Sequence, residues 1–216
     1  MSATDKLYFI SAYFDELEVK INRLQTLEMQ SMRDEATILC LVYIDHLASG
    51  NYFDGTEKNK EHFCRVLREL SGDPLFSTIH PRFLVELASE VKSAQPIVPL
   101  IESYVSQNPD RFFDEDEIRQ LVLNSPLPTE IKNPVINGLW KASTAALCYQ
   151  RLRCPAIHGP GTMDLSFSKT AYEGDLGTTL DFERLYGALQ SIFRAVRANA
   201  LSTSHWFGNP LYRSGV

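Results

Sequence analysis

Apolar residues recur three and four positions apart along most of the chain, a period that predicts helices rather than strands. Leu7, Ile10, Phe14, Leu17, Ile21, Leu24 and Leu27 place one amphipathic helix over residues 4–29, with Thr4 as its cap. Residues 33–49 carry Ile38, Leu39, Leu41, Val42, Ile44 and Leu47, too dense for a single face. That density predicts a central helix of a bundle, stopped by Gly50, with Asp45 and His46 embedded in it. A third helix is expected over about residues 58–70, with Phe63, Val66, Leu67 and Leu70 inward, before the break at Gly72-Asp73-Pro74.

His80-Pro81 opens a short helix to about Lys92, and Pro96 and Pro99 mark another start. Asp114-Glu115-Asp116-Glu117 precedes Ile118, Leu121 and Val122. Carboxylates in a first turn suit the helix dipole, so this cluster reads as a solvated helix start. Asn133 caps, and Pro134 opens, a helix with Val135, Leu139, Ala142, Ala146 and Tyr149 on one face and Ile136, Trp140, Ser143 and Leu147 on the next. Two apolar faces predict burial. Between Gly161 and Gly177 the period shortens to two, with Met163, Leu165 and Phe167 alternating with Asp164, Ser166 and Ser168, as in a short hairpin or extended loop. From Asp181 a last helix carries Leu185, Leu189, Ile192, Val196 and Ala200, and is expected to pack back across the helix opened by Pro134. The predicted fold is therefore all-α: a helical bundle of five or more helices, in a single domain over residues 1–216.

Charge changes this picture locally. The net charge of -6 argues against a general nucleic-acid coat, yet residues 131–163 and 184–216 hold no Asp or Glu. These stretches contain Lys132, Lys141, Arg151, Arg153, Arg184, Arg194, Arg197 and Arg213, which makes the C-terminal part basic. The cysteines, Cys40, Cys64, Cys148 and Cys154, form no CxxC pair, and free thiols in a cytoplasmic protein are expected. No signal peptide is recognised, and the longest uncharged apolar run near the start, residues 36–44, is far short of the ~20 residues of a membrane span. His62 and His80, read as standing on surfaces or loops, have no second ligand at metal spacing.

Candidate chemistry concentrates in Tyr149-Gln150-Arg151-Leu152-Arg153-Cys154-Pro155-Ala156-Ile157-His158-Gly159. Proline removes a donor and disfavours helix for Cys154, so the helix should end here in a fixed loop bearing His158. Arginine supplies a permanent cation, and histidine a group that changes charge near neutral pH. A phosphate loop, an HExxH pair and a nucleophile elbow are all missing, so no metal or cofactor is expected. A cation to hold a phosphate and an imidazole to move a proton are the minimum equipment for phosphodiester chemistry.

These residues, after a long apolar helix and before another, resemble the Arg-x(4 to 6)-His motif of the HEPN superfamily (higher eukaryotes and prokaryotes nucleotide-binding domains). Arg153 matches the motif arginine and His158 the histidine, and Arg151 fills the arginine position at the longer spacing. The resemblance implies an RNA endonuclease that works without metal, often a toxin or defence component. Two protomers of a homodimer would place their motifs in one cleft, with an antitoxin or other regulatory protein as a further partner. Arg153 and His158 are then the catalytic candidates, and Tyr149, Arg151 and Asp45 the substrate-binding ones. Cys154 stands where many active members carry Asn, Asp or His, and Pro160 where some toxins carry tyrosine. The alternative is a non-catalytic helical module that binds a nucleotide, RNA or a protein through the same basic surface.

Overall fold

The structure, a computed structural model, describes residues 3–52, 59–108, 111–153 and 180–204. These residues form an all-α protein, with nine α-helices and no strand among them. They separate into two compact units.

The first unit is built from the described residues within Met1–Asp73, Leu152–Met163 and Asp181–Val216. Its helices are α1 (Ala3–Met29), α2 (Arg33–Tyr52), α3 (Asn59–Leu70) and the last helix of the chain, α9 (Phe182–Thr203). Ile10, Phe14, Leu17, Ile21 and Leu24 form the buried stripe of α1, and Leu185, Leu189, Ile192, Val196 and Ala200 that of α9. The ring of Phe14 meets Phe193 edge to face at 5.9 Å. α2 packs on α1, α3 and α9, which is why its apolar residues occupy more than one face. Ser31 takes the left-handed conformation at φ 64, and Met32 N–H and Ser31 N–H close onto Leu27 O and Glu28 O. That is a Schellman closure, and it turns α1 into α2 without a glycine.

Gly50 does not stop α2, which continues to Tyr52. Gly50 is buried, Tyr52 donates to Glu69 of α3 at 2.8 Å, and the Arg65 guanidinium lies 4.3 Å from the Tyr52 ring. Packing on α3 thus outweighs the ~1 kcal/mol by which a glycine weakens a helix interior. Asp181 caps α9 by accepting from Arg184 N at 2.9 Å. Two of the cations in the basic C-terminal stretch are paired in place: Arg184 with Asp73, and Arg197 with Asp15 and Glu18.

The second unit comprises the described residues within Pro74–Arg151 and Asp164–Leu180. It contains α4 (Pro81–Glu90), α5 (Val98–Gln107), α6 (Glu115–Leu123), α7 (Thr129–Gly138) and the short α8 (Thr144–Leu147). An extended stretch at residues 78–80 organises it: Ile79 exchanges backbone bonds with Phe113, His80 N donates to Ala142 O, and Thr144 N donates to Thr78 O. Asp114 takes the N-cap position of α6 without a side-chain capping bond, while Glu115 pairs with Arg119 and Glu117 with Arg111, so the acidic run is a helix start tied to cations.

Two expectations fail in this unit. Pro134 lies inside α7, which begins at Thr129, so Asn133 is not a cap. The amide that Pro134 lacks would have served Glu130 O in the exposed first turn, where water can replace it. The helix also does not run on to the motif. Residues 139–142 tighten into a 3-10 turn, Ser143 is extended (φ -71, ψ 155), and its hydroxyl caps α8 by accepting from Ala146 N. The expected hairpin or extended loop between residues 161 and 177 lies outside the described residues.

Candidate functional site

The motif emerges from α8 as a π-helical turn, Cys148–Arg153. A π turn accommodates one more residue per turn than an α-helix and swings the residues that follow it, a form common at functional sites. Leu152 is buried, which fixes the end of the turn. Arg153 then reaches α2 and donates from Nη2 to Asp45 Oδ2 at 2.7 Å. The two side chains are only 12% and 18% exposed, so this ion pair is shielded from bulk water. Asp45 borders the buried face of α2 that carries Ile44 and Leu47, and its Oδ1 has no hydrogen-bond partner among the described residues.

Asp45 and Arg153 are thus brought together from 108 residues apart. Tyr149 is half-buried on the first turn of the π helix, in the second unit. The side chain of Arg151 and the whole of His158 lie outside what the structure describes.

One residue along α2, His46 shares a hydrogen bond between its Nε2 and the Tyr13 hydroxyl of α1. Partial burial lowers the His46 pKa, and the neighbouring Asp45 charge opposes that shift without reversing it. Burial, and secondarily Glu16, pushes the Tyr13 phenol up to about 12. Phenol and imidazole are therefore both neutral at neutral pH, and when Tyr13 donates to Nε2 the ring proton rests on Nδ1.

This pair lines a cleft of about 470 Å³ with Glu16, Leu17, Lys20, Val42 and Tyr43. A second cleft of about 550 Å³ adjoins it, sharing Lys20 and Tyr43 and adding Arg23, Leu24, Thr26, Leu27 and Leu39. Neither Tyr13, Lys20 nor Tyr43 stands out in the sequence. Their signal is positional: polar and aromatic groups at the border of two apolar stripes, with Tyr13 and Lys20 seven apart and Tyr43 and His46 three apart.

His62 and His80 are not surface residues: both are buried. His80 sits edge-on to Phe83 and Phe112, at 5.3 and 5.2 Å between ring centroids. Cys40, Cys64 and Cys148 are buried, and burial pushes the Cys40 and Cys64 thiols up to about 12, which makes them unreactive. No helix among the described residues is long and apolar enough to cross a membrane. Comparison of the chain with protein-family models, curated proteins and solved structures returns no match.

Proposed function

We propose that the chain is an endoribonuclease of the HEPN type that needs no metal, with Arg153 gripping the scissile phosphate and His158 moving the proton in a site shared by two protomers. The observation that supports this reading is the clasp of Arg153 by Asp45 at the end of a π turn. A guanidinium has five N–H donors in one plane, and a carboxylate that takes one of them fixes the direction of that plane. Catalytic cations gain most from being held in place before charge develops on the phosphate oxygens.

In this mechanism His158 takes the proton of a ribose 2'-hydroxyl as that oxygen bonds to phosphorus. The bond to the 5'-oxygen breaks, and the leaving oxygen collects a proton from the partner's histidine. The products are a 2',3'-cyclic phosphate and a 5'-hydroxyl.

A second reading draws on the same pair. The Arg153 side chain is 12% exposed and its charge is balanced by Asp45, which suits an anchor of the bundle more than a phosphate grip. The chain would then be a non-catalytic module that binds RNA or a protein. An RNA cleavage assay in EDTA separates the two. Wild type that cuts, His158→Ala that does not, and cyclic-phosphate ends on the product are the expected results; equal cutting by both proteins, or none at high protein concentration, removes the nuclease.

A further inference from the structure

We infer that the groove between α1 and α2 is a track for single-stranded RNA, with Tyr43 as its central stacking platform. The inference rests on the proposed function for the identity of the polymer, and on the groove itself for the rest. Tyr43 and Lys20 belong to both adjoining clefts, so the two form one continuous depression along the helix pair. From His46 to Leu39 it follows two turns of α2, about 10 Å by helix rise.

Its lining has the three parts such a track needs. Tyr13, Tyr43 and His46 offer flat faces, and bases stack on such faces whatever their sequence. Leu17, Leu24, Leu27, Leu39 and Val42 make an apolar floor. Lys20 and Arg23 stand one turn apart on α1, where cations can follow a phosphate backbone. Among the described residues of the lining Glu16 is the only carboxylate, and it is engaged with Lys20 at 2.7 Å. That pair is exposed, and such pairs open at little cost. The described lining is therefore positive by one charge in a chain of net -6.

Place supports the same ligand. His46 follows Asp45 directly, so one end of the groove starts one residue from the carboxylate that holds Arg153. A duplex hides its base faces and could not use tyrosines in this way, which selects single strands.

The test uses a short, fluorescently labelled, 2'-O-methylated oligoribonucleotide, which lacks the nucleophilic hydroxyl and cannot be cut. Wild-type protein should bind it, Tyr43→Ala should bind about tenfold more weakly, and Tyr43→Phe should bind as wild type, because the ring and not the hydroxyl carries the contact. The double variant Lys20→Gln/Arg23→Gln, both sites being exposed, should lower the slope of log affinity against log salt by about 1.4. Circular dichroism of Tyr43→Ala separates lost binding from lost folding, and the lysine and arginine variants test the groove independently. Unchanged binding in all the variants, or preference for a duplex or a protein over the single strand, overturns the track. Cleavage of unmodified RNA is followed separately. Cleavage with binding indifferent to Tyr43 keeps the nuclease and removes the groove; binding through Tyr43 without cleavage keeps the groove and removes the nuclease.

Discussion

Arg153 Nη2 lies 2.7 Å from Asp45 Oδ2, joining the end of the π turn to the middle of α2. Both side chains are mostly buried, so removing either leaves the other charge in a poorly solvated place. Asp45→Ala and Arg153→Ala should each destabilise the protein by about 1–3 kcal/mol in urea denaturation. The double variant should cost clearly less than the sum of the two. If the single effects add to within about 0.5 kcal/mol, the pair contributes no coupling and Asp45 does not hold Arg153.

His46 titrates against the same carboxylate. Its pKa lies below the usual 6.5 because partial burial outweighs the Asp45 charge, which favours the protonated ring. Asp45→Asn deletes that favourable charge, so the midpoint should move further down, and imidazole proton NMR over a pH titration reads it directly. An upward shift would mean that Asp45 does not act on His46 through its charge.

Two glycines should respond to alanine with opposite signs. Gly72 ends the α3 segment at φ +74, a conformation in which a β-carbon meets the backbone, so Gly72→Ala should cost about 1 kcal/mol. Gly187 lies on the exposed face of α9 with nothing within 4 Å of a built β-carbon. Gly187→Ala should stabilise by about 0.5–1 kcal/mol, through helix propensity alone. Thermal melts of the two variants side by side check the sign of each.

The helices were legible where one residue type settles a position. The stripes from Ile10 to Leu24 and from Leu185 to Ala200 declare α1 and α9 without tertiary knowledge. Gly50 and Pro134 misled, because each is a helix breaker whose cost here is offset by neighbours no local window contains: α3 in the first case, solvent at Glu130 in the second. Ser143 carries a cap signal, but the apolar period runs straight through it and hides the break. Asp45 and Arg153 could be singled out as charges next to apolar residues, while their partnership could not, since nothing in a sequence links positions 108 apart. The pairing of two cations in the basic stretch was hidden for the same reason: counting Arg184 and Arg197 does not reveal Asp73, Asp15 and Glu18 opposite them.

His80 sets a pH dependence that is independent of the candidate site. Its ring is 2% exposed, and burial, reinforced by the Arg82 charge, lowers its pKa to about 4. In the unfolded chain the same ring titrates near 6.5, so between these values the unfolded state binds the extra proton and stability falls as the pH falls. The loss begins near pH 6.5 and is complete once the pH is below about 4. From pH 7 to pH 5 it amounts to about 2 kcal/mol from this one group. Urea denaturation at the two pH values measures the total change, and His80→Phe, which keeps an aromatic ring between Phe83 and Phe112, should flatten it by that amount. A His80→Phe protein that loses as much stability as wild type between pH 7 and pH 5 would show that the buried imidazole is not the group responsible.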